Sequence, residues 1–160
     1  MKCCFIGLGS NLNDPLAQVT RAIESLSKLP SSTLISHSAW YRSSPVGPEG
    51  QDDYINGVAQ LQTSLSPAQL LTALQAIENQ QQRVRREHWG PRTLDLDILL
   101  IDQQTIDTPS LTVPHKEIFN RNFVLQPLAD IAPTLVFPDG SSLTSRLNSC
   151  PANELERLAQ

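Results

Sequence analysis

A chain of 160 residues is the size of one compact domain, and 39% hydrophobic against 18% charged residues supplies a core without the charge excess of a disordered chain. The net charge of −4 and a pI near 5.3 exclude the broad basic surface that general binding to nucleic acid or to an anionic membrane requires, so the expected partner is a small molecule or a protein. Twelve prolines exceed the roughly 5% average usage and imply several long, defined connections.

The apolar opening, Cys3 to Gly9, is brief and leads into Ser10-Asn11-Leu12-Asn13-Asp14 without a small-residue cleavage site, so it predicts a buried first strand rather than a signal peptide. Asp14 and Pro15 then start a helix on which Leu16, Val19, Ile23 and Leu26 recur at helical spacing until Pro30. A second strand is expected over 33–42 and a long surface loop over 43–52. From Tyr54 to Thr63 residues alternate, with Ile55, Gly57, Ala59 and Leu61 on one face and Tyr54, Asn56, Val58 and Gln60 on the other. Ser66-Pro67-Ala68-Gln69 has the form of a capping box, opening a helix through Leu70, Leu71, Leu74 and Ile77 to about Gln82.

An arginine-rich loop follows, then Thr93 to Ile101, read as a central, well-buried strand. Asp102 to Gln104 turns the chain, Pro109 to Pro114 is extended, and Val124 to Ala132 predicts a helix with Pro127 in its first turn. After the Asp139-Gly140 turn, Leu143, Leu147, Leu155 and Leu158 anchor one or two short helices. Strands interspersed with helices give an α/β or α+β sandwich, with a mixed or mainly antiparallel sheet, in a single domain over 1–160. No stretch approaches the roughly 18 apolar residues of a membrane span. The three cysteines form neither a disulfide framework nor a zinc spacing, which favours the reducing cytoplasm.

The sharpest chemical feature is Asp95-Leu96-Asp97. A period of two puts both carboxylates on one strand face, opposite Leu94, Leu96 and Ile98. At roughly 6 to 7 Å they repel by roughly 2 to 3 kcal/mol at an effective dielectric of about 20, which must be offset. An exposed strand end or pairing with arginines would do so; so would Mg²⁺, a hard cation commonly shared between one or two carboxylates and substrate phosphates. Arg83, Arg85, Arg86 and Arg92 lie within ten positions of one another, beside His88 and Trp89. They form either a solvated charged loop or a set of phosphate ligands. Gly7-Leu8-Gly9 lacks the third glycine of a dinucleotide fingerprint and no P-loop motif occurs; the two glycines are expected to pack strand against helix. His37 is read as structural.

Gly9-Ser10-Asn11-Leu12, Tyr54-x-Asn56, Arg83-x-Arg85, Trp89-Gly90-Pro91-Arg92-Thr93-Leu94-Asp95-Leu96-Asp97-Ile98, Pro114-His115 and Arg121-x-Phe123-Val124-Leu125-x-Pro127-Leu128 together resemble the 6-hydroxymethyl-7,8-dihydropterin pyrophosphokinases of folate biosynthesis, in order from about residue 4 to 139. The resemblance implies a ferredoxin-like three-layer sandwich. It also implies transfer of the β,γ-pyrophosphoryl unit of ATP, the co-substrate, to the pterin hydroxymethyl group, with release of AMP. Asp95 and Asp97 would hold two Mg²⁺ ions on the triphosphate. Arg83 and Arg92 would neutralise charge on the transferred group, with Arg85 in support, and Trp89 would close the loop. His115 and Arg121 would contact the nucleotide phosphates, Ile98 the adenine, and Gln75 and Glu78 the surrounding pocket. Tyr54, Asn56 and Phe123 would hold the pterin, its edge completed by the backbone of Ser43, Ser44 and Val46. Lys116, the Ser43-Ser44 pair and a shorter arginine loop depart from the family pattern. A monomer without nucleic-acid or membrane partners is expected. Two other readings use the same residues: another Mg²⁺-dependent nucleotidyl or phosphoryl transferase, and a single-strand nucleic-acid loop built on Arg83 to Arg92 with Trp89.

Overall fold

The computed structural model describes residues 1–11, 14–43, 53–82, 94–150 and 155–158. Strand β1 (Lys2–Ser10) leads to helix α1 (Pro15–Ser27), whose first turn is capped by the Asp14 carboxylate accepting from the Ala17 N–H at 3.4 Å. Strands β2 (Ser32–His37), β3 (Tyr41–Ser43) and β4 (Tyr54–Thr63) precede helix α2 (Pro67–Gln82). The capping box forms reciprocally: Ser66 N–H donates to Gln69 Oε1 at 2.9 Å and Gln69 N–H to Ser66 Oγ at 3.1 Å. Strand β5 (Asp95–Ile101), a small hairpin of β6 (Ile106–Asp107) and β7 (Thr112–Val113), and a 3-10 turn (Ile118–Asn120) follow. Helices α3 (Asn122–Ile131) and α4 (Leu143–Ser149) and strand β8 (Leu155–Arg157) complete the order.

The main sheet runs β5-β1-β4-β3-β8, with β2 also paired to β4, and every ladder among the described residues is antiparallel. Two apolar clusters lie on its two faces. On one, Val19, Ala22 and Leu26 of α1 and Leu70, Leu74 and Ile77 of α2 meet Cys4, Ile6, Leu8, Leu96 and Ile98. On the other, Val124, Leu125 and Leu128 of α3 and Leu143 of α4 meet Phe5, Val58, Leu99 and Leu100. Helices, sheet and helices therefore form three layers, as the resemblance implied. Each fully buried leucine in these layers, such as Leu26 or Leu125, contributes roughly 1.5 to 3 kcal/mol.

Several expectations change. The strand expected over 33–42 breaks at Ser38, whose Oγ accepts the Val58 N–H at 2.9 Å, and Trp40 then turns into the core against Gly57, where a Cβ would lie 2.5 Å from its ring. His37 stacks on that indole at 5.7 Å. Strand β5 is well buried but lies at the end of the strand order rather than at its centre, covered by helices on both faces. Pro127 sits inside α3 instead of in its first turn, because the helix begins two residues earlier, at Asn122. Of the one or two short helices expected near the C-terminus, one, α4, forms among the described residues, while Leu155 belongs to a strand on β3.

A bulge decides how β5 presents its side chains. Its register with β1 slips between Phe5↔Leu100 and Ile6↔Ile98, leaving Leu99 as an extra residue. Asp95, Asp97 and Leu99 share the α3 face, Leu100 joins them there, and Ile101 returns to the α1/α2 face.

Candidate active site

Two clefts flank the start of β5. The first, of about 320 Å³, is floored by Gly7 and Gly9 of β1 and Leu99 of β5, and walled by Ser43, Tyr54 and Asn56 on one side and Arg121, Phe123 and Val124 on the other. The second, of about 220 Å³, lies over the β5 edge among Leu71, Leu96, Ile98, Leu111, Ser110, Thr112 and Lys116. Asp97 and His115 line both.

The walls follow from pairing. Gly9 is the Cα partner of Asn56 on one side and of Asp95 on the other, and Ser43 that of Tyr54. Partners in an antiparallel ladder project to the same face, so an acid, a bare glycine and a carboxamide lie in one row across three strands. The glycines thus face the cleft, contrary to the expectation that they pack strand against helix. A Cβ on Gly9 would lie 2.8 Å from Asn56 Oδ1, and one on Gly7 3.3 Å from Leu99 Cδ2. Asn56 is buried, with its Nδ2 3.4 Å from Ser43 Oγ.

His115 is brought to the edge of β5 by its own N–H, which donates to the Leu99 carbonyl at 3.0 Å. Its Nδ1 accepts the Glu117 N–H at 3.2 Å, which leaves Nε2 as the protonated nitrogen of the neutral ring. Burial lowers the His115 pKa; the Asp97 carboxylate opposes this and the Arg121 guanidinium adds to it. Arg121 precedes α3, where its carbonyl accepts the N–H groups of Val124 and Leu125, and its guanidinium carbon lies 5.6 Å from the Phe123 ring centroid. Arg121 and Phe123 therefore enter the cleft as a stacked pair from one helix start.

Of the residues expected from the sequence, Asp95, Asp97, His115, Arg121, Ser43, Tyr54, Asn56 and Phe123 converge on the first cleft, and Ile98 lines the second. Gln75 is exposed on α2 and lines neither cleft. Glu78 is buried and accepts the Leu96 N–H at 2.8 Å, so it meets the open edge of β5 between the two aspartates. Ser44, Val46, Arg83, Arg85, Trp89 and Arg92 lie outside the described residues. Leu71, expected only as a helix residue, and Ser110, Leu111 and Thr112 of the extended stretch carry no site signal in the sequence; only the edge position of β5 shows that they face Ile98.

Among the described residues no group of three or more His, Cys, Asp or Glu could enclose a metal. Two carboxylates on one face of a cleft fit a cation that completes its shell from water and substrate oxygens; they do not fit a closed structural zinc site.

Two adjoining clefts that share a carboxylate and an imidazole are compatible with several classes of small-molecule enzyme. Comparison with known proteins identifies which. Residues 5–133 match the 7,8-dihydro-6-hydroxymethylpterin-pyrophosphokinase family, and the chain belongs to it. It is 51% identical over 154 residues to the 2-amino-4-hydroxy-6-hydroxymethyldihydropteridine pyrophosphokinase of Pseudomonas aeruginosa, covering 96% of this chain and 95% of that one. It is 44% identical to the Haemophilus influenzae protein of the same name, covering 99% of each. A Plasmodium falciparum HPPK-DHPS triple mutant superposes with a TM-score of 0.75 at 13% identity, over 92% of this chain and 43% of that one. A structure of HPPK-DHPS in complex with substrates gives a TM-score of 0.72, also at 13% identity, with the same coverage of both chains. This chain thus spans less than half of those longer chains, and the likeness is one of fold.

Proposed function

We propose that the two clefts are the two substrate sites of the family reaction, with the pterin in the first, the nucleoside of ATP in the second, and the triphosphate between them at Asp97 and His115. The reaction is transfer of a pyrophosphoryl group from ATP to the hydroxymethyl group of 6-hydroxymethyl-7,8-dihydropterin in folate biosynthesis. The hydroxymethyl oxygen attacks the β-phosphorus, the bond from that phosphorus to the oxygen bridging the α-phosphorus breaks, and AMP leaves. The observation that carries the placement is that Asp97 and His115 line both clefts.

Asp95 and Asp97 would hold two Mg²⁺ ions, which when bound screen the triphosphate charge and align it for in-line attack. The chain's own groups do the rest. His115 presents Nε2–H as a neutral hydrogen-bond donor to a phosphate oxygen, and Arg121 adds a fixed positive charge while its stem and guanidinium brace Phe123. Tyr54 and Phe123 offer aromatic faces from opposite walls, and Asn56 offers both a donor and an acceptor to a ring edge. Leu71, Leu96, Ile98 and Leu111 make an apolar slot suited to an adenine. Arg83, Arg85, Arg92 and Trp89 belong to this reading as charge-neutralising and closing residues, and Ser44 and Val46 as the pterin edge.

One sheet carries both apolar clusters, which supports a single domain, and we read it as acting as a monomer. The free thiols of Cys3, Cys4 and Cys150 suit the cytoplasm. Supplying ATP, Mg²⁺ and 6-hydroxymethyl-7,8-dihydropterin and identifying the nucleotide product tests the function: AMP is expected, and ADP or pterin-independent turnover would refute it.

A further inference from the structure

The phenol of Tyr41 joins strand β3 to helix α3, the elements that carry Ser43 and Phe123 of the first cleft, without lining that cleft itself. The row that begins at Asp95, Gly9 and Asn56 continues through Tyr41 on β3 to Arg157 on β8, each residue the Cα partner of the next. Asn56 therefore has a bare neighbour on one side and the Tyr41 ring on the other. Tyr41 is only 4% exposed, and its hydroxyl donates to the Asp130 carboxylate at 2.8 Å and 3.0 Å to its two oxygens. Burial and this hydrogen bond push the phenol up to about 12, so it remains a donor throughout the physiological range.

Asp130 is the next-to-last residue of α3, and Phe123 is the second. Seven residue steps of helix separate them, about 10 Å along the axis. The Tyr41–Asp130 contact thus ties the far end of the helix that carries Phe123 to the strand that carries Ser43, beside the strand that carries Tyr54 and Asn56. A planar ring held between two walls needs them about 7 Å apart, twice an atomic contact distance, and a shift of even 1 Å in one wall loses contact on a whole ring face.

We propose that Tyr41, held by Asp130, is a positioning residue that sets the separation of the Asn56 and Phe123 walls and so the fit of the planar acceptor. The inference rests on the assignment of Tyr54, Asn56 and Phe123 to the pterin. Neither Tyr41 nor Asp130 lines either cleft, and the second cleft takes no residue from β3 or α3, so the effect falls on the first cleft alone.

Steady-state kinetics with ATP, Mg²⁺ and 6-hydroxymethyl-7,8-dihydropterin test it, with a thermal melt of each variant. Tyr41→Phe, which removes one oxygen, is expected to raise the pterin KM about tenfold and to leave the ATP KM within about twofold. Asp130→Ala should do the same, Asp130→Asn should restore most of the affinity because it keeps an acceptor oxygen, and the double variant Tyr41→Phe/Asp130→Ala should be no worse than the weaker single one. An unchanged pterin KM in Tyr41→Phe would overturn the inference. So would a fall in kcat that tracks the melting temperature with neither KM raised, or with both KM values raised alike, since that is the signature of a purely structural contact. Tyr54→Ala separates the two levels: if it leaves the pterin KM untouched, the cleft assignment fails, whereas if it raises the KM and Tyr41→Phe does not, only the positioning role fails.

Discussion

Replacing Gly9 by alanine adds one methyl group to the floor of the first cleft. That Cβ would lie 2.8 Å from Asn56 Oδ1 and 3.9 Å from the Ile55 carbonyl oxygen, so the carboxamide must turn or β1 must move. Moving β1 would disturb a ladder that pairs Lys2 through Ser10 with Thr63 through Ile55, and the side chain yields first. Leaving its rotamer costs Asn56 about 0.5 to 1.5 kcal/mol, and overpacking in general about 1 to 3 kcal/mol. Against this, alanine restricts the unfolded chain and returns about 0.4 to 1 kcal/mol. The net loss of stability is therefore about 0 to 2.6 kcal/mol, a fall in melting temperature of at most about 10 °C for a domain of this size.

Binding should suffer more than folding. Two hydrogen bonds from the carboxamide to a ring edge, at about 0.5 to 1.5 kcal/mol each, correspond to a rise in pterin KM of roughly 5- to 150-fold. The ATP KM should stay within twofold, because the second cleft lies beyond Asp97 and His115. Gly7→Ala is the matched control: it is the same change on the same strand face, but its Cβ meets Leu99 Cδ2 at 3.3 Å, a flexible methyl that can give by a few tenths of an ångström. Initial rates with each substrate varied in turn, alongside melts, check the pair. A pterin KM within twofold of wild type in Gly9→Ala, or an equal rise in Gly7→Ala, would refute the reasoning.

Asp97→Ala should cut turnover at saturating Mg²⁺ by at least about a thousandfold, the scale of several kcal/mol that a metal ligand controls; near-normal rates would remove Asp97 from the metal site. Glu78→Ala leaves the buried Leu96 N–H without its 2.8 Å acceptor, so a loss of about 1 to 3 kcal/mol and a melting point lower by roughly 2 to 12 °C are expected, with Glu78→Gln largely sparing both. A wild-type melt for Glu78→Ala would contradict this. Asp139 accepts from the Ser141 hydroxyl and backbone N–H and from Arg146, which hold its carboxyl down at about 2 against an ordinary 3.8. Because the folded value is depressed, its contribution is complete above pH 3.8 and disappears as the pH falls through 2. Asp139→Asn should therefore flatten the acid branch of the stability curve between pH 4 and 2, and an unaltered slope there would show that the bonds contribute nothing.

Period-two alternation made the side-chain faces of β4 and β5 legible before any partner was known, since Tyr54 with Asn56 and Asp95 with Asp97 depend only on local geometry. Helix starts were legible for the same reason: Asp14-Pro15 and Ser66-Pro67-Ala68-Gln69 act within one turn. What alternation could not carry was which strand lies beside which. The edge position of β5, the orientation of Gly7 and Gly9 toward a cleft, and the use of Glu78 to satisfy a strand N–H all follow from pairing between residues far apart in the chain. The break at Ser38 was hidden likewise, because it needs the Val58 N–H twenty residues away. His115 and Arg121 were named through resemblance to a family; their local sequence contains nothing that would place them opposite Asp97.

The bulge at Leu99 accounts for how a single strand face can serve both chemistry and core. Strict alternation beyond Leu99 would have sent Leu100 to the α1/α2 face and Ile101 to the α3 face. The slipped register keeps Leu100 with Phe5 and Leu128 under α3, so the same face is polar at the Asp95 end and closed by apolar packing at the other. That packing anchors α3, and α3 in turn carries Arg121 and Phe123 back over the aspartates. The two acids are consequently not equivalent. Asp95 borders only the first cleft, while Asp97, one pleat further toward the bulge, borders both together with His115. On the proposed placement of the two substrates, a group passing from donor to acceptor crosses at Asp97, which is why that substitution is expected to stop transfer outright and not merely to weaken one substrate.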